Sequence, residues 1–148
     1  MEHEDYMKEA LGLAKECLAT GDVPVGCVVV SADGRIIGRG RNRREELSSA
    51  TRHAEVEAIE DACAHVGSWR LTGCSLYVTL EPCPMCAGAI WNARISELWY
   101  GAREARSGCC GSVLNLFAEN LDHATAVRGG LLGNECAAVL SEFFQARR

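Results

Sequence analysis

The middle of the chain reads Leu76-Tyr77-Val78-Thr79-Leu80-Glu81-Pro82-Cys83-Pro84-Met85-Cys86. Its first half is apolar and rich in β-branched residues, which predicts a buried strand over residues 74–80. Pro84 suits the first turn of a helix, where its missing N–H removes no hydrogen bond. We therefore predict a helix from residue 84 to about residue 93. A strand that leads directly into a helix is typical of α/β folds.

The same alternation of strands and helices extends in both directions along the chain. A helix is predicted from Tyr6 to Leu18, and the turn Asp33-Gly34 joins two strands at 23–31 and 35–41 as a hairpin. The other predicted elements are a polar loop at 43–51, a helix at 54–66, strands at 98–100 and 126–127, and a closing helix over 132–143. This pattern predicts one domain over residues 1–148, an α/β protein with a three-layer α/β/α sandwich and a central mixed five-stranded sheet.

The composition is that of a globular protein, with 48% hydrophobic and 24% charged residues. A net charge of −5 argues against a protein that coats nucleic acid. However, the cations comprise thirteen arginines and only two lysines, and five of the arginines lie between Arg35 and Arg44. Guanidinium groups suit phosphate contacts, so a local basic surface and a set of solvated side chains are both open interpretations.

No apolar run approaches the roughly 18 residues that a membrane span needs, so no membrane partner is predicted. The acidic start Met1-Glu2-His3-Glu4-Asp5 lacks the basic residues of a secretory signal, which predicts a cytoplasmic protein. The nine cysteines are then expected to be reduced. Four of them lie among apolar neighbours and are predicted to pack in the interior: Cys17, Cys27, Cys63 and Cys136.

Two short motifs carry chemistry: His53-Ala54-Glu55 and the Cys-x-x-Cys of Cys83 and Cys86. Each opens a predicted helix, and residues three apart lie on the same face of a helix. The partial positive charge of a helix N-terminus favours thiolate, the form that binds zinc. One imidazole and two thiolates leave the fourth tetrahedral position to water, which is the arrangement of catalytic zinc sites.

Glu55 distinguishes a catalytic site from a structural one. A carboxylate two residues from a metal ligand can reach the metal-activated water without closing the coordination shell. Glu55 is therefore the predicted proton carrier.

Other interpretations of the cysteines remain open. A Cys-x-x-Cys pair alone is also typical of redox proteins. A closed structural zinc site would need a fourth ligand, which Cys74, Cys109 or Cys110 could supply. The remaining histidines have no partner pattern and are predicted to be surface or packing residues; they are His3, His65 and His123.

A His-x-Glu motif followed by Pro-Cys-x-x-Cys is the signature of the zinc deaminases. Within that superfamily the chain resembles the tRNA-specific adenosine deaminases, which convert the wobble adenosine of an anticodon to inosine. The resemblance rests on Asp22-Val-Pro-Val-Gly-Cys27, Leu76 to Cys83, Met85-Cys-Ala-Gly-Ala89, Gly108-Cys-Cys-Gly-Ser112, Glu135-Cys-Ala-Ala138 and Ser141-Glu-Phe-Phe144. It implies a cytidine-deaminase-like fold.

The resemblance implies that His53, Cys83 and Cys86 hold one zinc ion per chain. It also implies hydrolytic attack at adenine C6, with Glu55 moving the protons. Two departures from the family are Ser49-Ala50-Thr51-Arg52 before the histidine, and Glu104 and Arg106 in place of an Asp and a Lys. The predicted substrate-binding residues are Asn42, Ala54, Pro82, Glu104 and Arg106. A turn-capping role for Asn42 is the alternative.

The implied partner is a tRNA anticodon stem-loop, whose unstacked bases proteins can read. Candidate backbone contacts are Arg94, Arg103, Arg106, Arg147 and Arg148, and Phe143 and Phe144 are either stacking groups or core residues. The small-residue run Ala87-Gly88-Ala89 predicts a homodimer that shares the RNA site between its chains. The run Ala50-Thr51-Arg52-His53 also resembles the catalytic subunit of a heterodimeric enzyme, so a heterodimer stays open.

Two rival functions remain. The first is deamination of a free base or nucleoside, such as guanine or cytosine, at the same zinc site. The second is a catalytically silent zinc protein that only binds RNA or a partner chain. Glu55 argues against a silent site, and the arginines argue against free bases.

Overall fold

The computed structural model describes residues 1–147, so the predicted contact at Arg148 lies outside the described residues. The helices are α1 (His3–Glu16), α2 (Ala54–Val66), α3 (Pro84–Asn92) and α4 (Gly133–Gln145). The strands are β1 (Gly26–Val30), β2 (Ile36–Arg41), β3 (Ser75–Leu80), β4 (Glu97–Ala102) and β5 (Ala126–Gly129). Short 3-10 turns occupy Cys17–Thr20 and Leu116–Ala118.

The five strands form one mixed sheet in the order β2-β1-β3-β4-β5. Strand β1 is antiparallel to both β2 and β3, whereas β3, β4 and β5 run parallel to one another. In the centre, Val78 pairs with Cys27 on one side and with Tyr100 on the other. The predicted mixed five-stranded sheet is confirmed.

Successive side chains of a strand point to opposite faces of the sheet, so apolar residues of the central strands lie on both faces. Helices cover each of these faces. Cys27 and Val29 pack in the cluster that includes α2 residues and Ile90 of α3. Val28 and Val30 pack in a second cluster with residues of α1 and Cys136 of α4. The structure therefore has the predicted three layers, with α2 and α3 on one side and α1 and α4 on the other.

Helix α2 lies very close to the edge strand β2. A Cβ added at Gly40 would lie 2.3 Å from the Ala54 carbonyl oxygen, and one added at Gly38 would lie 2.3 Å from that of Ala58. Only glycine fits at both contacts, because no side-chain carbon is accommodated at such distances. This close contact fixes the start of α2 at one end of the sheet.

Some predicted boundaries were wrong. The first strand begins at Gly26 rather than at residue 23, and β4 and β5 extend beyond the residues predicted for them. Pro24 has no backbone N–H to donate to a neighbouring strand, which explains the later start. Three of the cysteines predicted to pack inside are buried, and Cys63 is half-buried against the core. Within residues 1–147, no helix has both the length and the apolar character needed to cross a bilayer.

Candidate active site and metal centre

The starts of α2 and α3 bring three metal-binding side chains together. His53 and Cys83 are the residues that immediately precede these helices, and both have extended backbone. The His53 Nδ1 atom lies 3.7 Å from the Cys83 Sγ and 3.5 Å from the Cys86 Sγ. All three ligand atoms lie within 4.8 Å of one another.

These distances fit a zinc ion. Tetrahedral zinc with Zn–N of about 2.05 Å and Zn–S of about 2.3 Å separates the nitrogen and sulfur ligands by roughly 3.6 Å. The observed separations of 3.5 Å and 3.7 Å bracket that value. Both nitrogen–sulfur distances therefore match tetrahedral zinc.

The two thiols differ in their tendency to ionise. A hydrogen bond from Cys86 is the main cause that lowers the pKa of Cys83 to about 4, and His53 adds to it. The same hydrogen bond to Cys83, followed by burial, raises the pKa of Cys86. The hydrogen bond to Cys83 raises the pKa of His53. One thiolate therefore forms readily beside a donor thiol and an imidazole.

Glu55 lies beside this group but is not part of it. Its side chain is only 4% exposed and contacts the Cys86 thiol. Burial raises the pKa of Glu55 to about 7. The metal-binding group found within residues 1–147 contains none of the fourth-ligand candidates Cys74, Cys109 and Cys110. The arrangement is that of three ligands with an adjacent carboxyl group, as catalytic chemistry requires.

A cavity of about 730 Å³ lies over the site. Its walls include four of the predicted substrate-binding residues, Asn42, Ala54, Glu104 and Arg106. Pro82 is not among the lining residues; it is buried, and its carbonyl accepts the N–H of Cys109. Phe143 and Phe144 at the end of α4, and Arg147 just after it, complete the wall.

Comparison with known proteins identifies the family. The sequence pattern of the "cytidine and deoxycytidylate deaminase zinc-binding region" matches residues 1–102. The chain belongs to this deaminase family. It is also 45% identical to the tRNA-specific adenosine deaminase of Bacillus subtilis, over 98% of this chain and 90% of that protein. The cofactor of the site is zinc, and the protein is a hydrolytic deaminase.

Three further similar proteins vary in length and in the activity that their names state. A tRNA(Ile)-lysidine synthase of Deinococcus deserti is 48% identical over 96% of this chain, which spans only 27% of that protein. One solved structure, from a study of A-to-I editing by tRNA deaminases at the wobble position, has a TM-score of 0.88. It is 44% identical and covers 92% of this chain and 99% of its own. A guanine deaminase from Bacillus subtilis has a TM-score of 0.66 and 44% identity over 70% of this chain and 66% of its own.

Asn42 of the deaminase combines both roles considered for it. Its amide donates to the Val23 carbonyl at 3.1 Å, and its side-chain oxygen accepts the N–H of Arg44 at 3.0 Å. A side-chain amide has two N–H groups and two oxygen lone pairs, so one donor and one acceptor remain for a ligand. Asn42 therefore caps the turn and still presents polar atoms to the cavity.

Sequence reasoning missed two buried carboxylates in the cavity wall of the deaminase. Asp22 accepts the backbone N–H groups of Glu45 and Glu46. Glu81 accepts those of Cys110 at 2.8 Å and of Glu104 and Ser112 at 3.1 Å. Burial alone would raise the pKa of Glu81, but these hydrogen bonds and that of the Ser112 hydroxyl lower it. For Glu81, the available signal was a charged residue directly at the end of an apolar strand, β3; Asp22, which precedes β1, had no such signal.

Several predicted RNA contacts lie elsewhere in the deaminase. Arg94 stacks over Trp69 and Trp91, and Arg103 donates to the Ser112 hydroxyl. Neither is among the cavity-lining residues. The three histidines predicted to be surface or packing residues are of these two kinds: His3 stacks on Trp99 with ring centroids 4.0 Å apart, His123 stacks on Trp91, and His65 is exposed.

Proposed function

We propose that this protein converts adenosine to inosine at the wobble position of a tRNA anticodon. The observation that carries the proposal is the likeness of nearly the whole chain to a tRNA-specific adenosine deaminase. That likeness extends past the zinc motifs into the loop after β4 and helix α4, which supply the outer wall of the cavity. A shared zinc site alone would support only the broader deaminase chemistry.

In the proposed reaction, water adds to adenine C6, the bond to the amino group breaks, and inosine and ammonia are formed. His53, Cys83 and Cys86 would hold the zinc, which when bound supplies Lewis-acid activation of the attacking water. Glu55 takes one proton from the water and delivers it to N1 of the base; it then takes the remaining proton of the hydroxyl added at C6 and passes it to the amino group as the bond from C6 to that group breaks. Its burial keeps this proton transfer away from bulk solvent.

The rest of the cavity wall suits a nucleotide within RNA. Asn42 offers one donor and one acceptor to the purine, and the backbone N–H groups at the start of α2 would help to stabilise developing negative charge. Arg106 and Arg147 bring positive charge to an otherwise acidic protein. Phe144, 49% exposed beside the cavity, offers a stacking surface for an unpaired base.

We also propose a cytoplasmic homodimer in which the two copies share the RNA site. The outer faces of α2 and α3 form an apolar groove of about 450 Å³. Trp69 and Val66 are 55% and 45% exposed on this side of the molecule. Ala87 faces the interior, so Gly88 and Ala89 are the small residues available at the surface. A second protein chain in this groove would remove this apolar surface from water.

A second candidate function is deamination of a free purine base. It is supported by the likeness to the guanine deaminase of Bacillus subtilis and by the net charge of −5. An acidic protein attracts an uncharged base as readily as a neutral protein does, whereas it repels RNA outside its local basic surface. The two functions predict different products from the same purified protein.

The deciding assay presents the zinc-loaded protein with an anticodon stem-loop that has adenosine at the wobble position. We expect inosine in the RNA and one ammonia per inosine. The matched control is the same stem-loop with guanosine at that position, which should release none. Free guanine, cytosine and adenosine are assayed in parallel, and ammonia from a free base without inosine in RNA would contradict the proposal.

A further inference from the structure

Glu81 is a buried carboxylate at the end of β3, two residues before Cys83. Only 2% of its surface is exposed. Its Oε1 atom accepts the backbone N–H of Glu104 at 3.1 Å, and its Oε2 atom accepts those of Cys110 at 2.8 Å and Ser112 at 3.1 Å. The Ser112 hydroxyl is a fourth donor, to Oε1. All four hydrogen bonds come from the segment at 103–112, which we call the cavity loop.

The cavity loop supplies Glu104 and Arg106 to the cavity wall. Two backbone hydrogen bonds of 2.8 Å also connect this region to the end of β3: the N–H of Glu81 donates to the carbonyl of Ala102, the residue before the loop, and the N–H of Cys109 donates to the carbonyl of Pro82. These two bonds involve the residue before the loop and one residue within it. The carboxylate of Glu81 adds contacts at three further residues, Glu104, Cys110 and Ser112.

Gly108 shows how tightly the loop closes around this carboxylate. A Cβ added there would lie 2.4 Å from the Glu81 Cδ and 2.5 Å from the Glu104 carbonyl oxygen. Both distances are far below van der Waals contact, so only glycine fits. The Gly-Cys-Cys-Gly-Ser stretch at 108–112 therefore has a physical purpose: it wraps backbone N–H groups around one buried carboxylate.

We propose that Glu81 is a positioning residue that sets the place of the cavity loop relative to the metal-binding start of α3. Through the loop, it fixes how far Glu104 and Arg106 lie from the reacting base. This inference rests on the proposed function for its substrate, because these side chains would contact the ribose and phosphate of the nucleotide. The set of hydrogen bonds that Glu81 accepts from the cavity loop, which we call the clamp, is present in the protein itself and does not depend on a substrate.

The substitution Glu81→Gln weakens the clamp while it keeps the size of the buried side chain. Glutamine has the shape of glutamate, but one oxygen becomes an amide that donates rather than accepts. At least one of the N–H groups that Glu81 binds must then face another donor. We expect the variant to keep the zinc content of the wild type. Amide hydrogen exchange at Glu104, Cys110 and Ser112 should become faster by about 10-fold or more. The KM for the stem-loop should rise by about 10-fold, with a smaller change in kcat.

The matched control is Thr79→Val on the same strand. Thr79 is also buried, and its hydroxyl accepts the N–H of Gly26 at 3.2 Å, away from the cavity loop. This variant should lower the melting temperature and leave both the loop exchange and KM unchanged. Ser112→Ala removes one donor only, and it should raise loop exchange and KM by less than Glu81→Gln.

If the three loop amides of Glu81→Gln exchange at the wild-type rate, the proposal is overturned. Loss of zinc from this variant would also overturn it, because Glu81 would then act on the metal site. If Glu81→Gln does not fold, unchanged exchange in Ser112→Ala overturns it instead. The exchange measurement needs no substrate. A wild-type protein that forms no inosine would therefore refute the proposed function while the loop amides still report on the clamp.

Discussion

Glu55 combines two features that define its test: it is buried against Cys86, and it lies outside the metal-binding group. Glu55→Gln keeps the size of the side chain and removes its ability to accept a proton. General acid–base catalysis contributes about 10²–10⁴-fold to rate, so we expect the turnover number to fall by about that factor. The zinc content, measured by elemental analysis, should stay at one per chain.

Glu57→Gln is the matched control for Glu55→Gln. Glu57 lies in the same helix, but its carboxylate pairs with Arg43 at 2.8 Å and lines no part of the cavity. The variant makes the same replacement of a carboxyl group by an amide, and turnover should stay near the wild-type value. A Glu55→Gln protein that loses its zinc would show instead that Glu55 is a ligand.

The residues of the metal centre were predictable because each motif is local. His53 and Glu55 are two positions apart, and Cys83 and Cys86 are three apart, so each motif can be recognised by its spacing, and the two motifs together predict the zinc site. The role of Glu81 was not predictable in this way. Its partners lie 23 to 31 residues further along the chain, and only the folded loop brings their N–H groups to it.

At the scale of elements, the contact between β2 and α2 holds the start of α2 in place. Gly40→Ala would put a carbon 2.3 Å from the Ala54 carbonyl oxygen, beside His53. Overpacking of this kind costs about 1–3 kcal/mol of unfolding free energy. We expect a lower melting temperature and weaker zinc binding, measured by chelator competition, because the helix start must move away from the strand.

Two other glycines control for this effect. Gly38→Ala makes an equally close contact with Ala58, one turn further from the metal centre, so it should lower stability similarly and change zinc affinity less. Gly12 in α1 has nothing within 4 Å of an added Cβ, and Gly12→Ala should stabilise the protein by about 0.5–1 kcal/mol. Equal zinc affinity in Gly40→Ala and Gly38→Ala would contradict the prediction.

The predictability of the elements varied with the strength of their local signals. Helix α2 was predicted with its observed bounds, because apolar periodicity and the following Gly67 define it. The start of β1 was placed too early, because Val23 and Val25 continue the apolar pattern across Pro24. The pairing order of the strands depends on contacts between distant segments, which a single sequence pattern does not contain.

At the scale of the whole molecule, the outer groove between α2 and α3 is the surface proposed for the homodimer. Helix α3 forms one side of the groove, and two of the three metal-binding residues lie at the start of the same helix. A partner bound there would lie close to the active site, which is why dimer formation and RNA binding are expected to be coupled. Gly88 lies on this helix next to Ala89, which lines the groove, and a Cβ added at Gly88 meets nothing within 4 Å in the single chain.

Gly88→Arg therefore tests the dimer without disturbing the fold of one chain. Its long charged side chain would enter the interface and remain unpaired. We therefore expect the wild type to be a dimer and the variant to be a monomer, as measured by light scattering at micromolar concentration. Gly12→Arg is the matched control, because Gly12 is also a helical glycine with open space around it but lies on the opposite layer. It should remain a dimer. A wild-type protein that is monomeric under these conditions would contradict the homodimer, and a Gly88→Arg protein that stays dimeric would place the interface elsewhere.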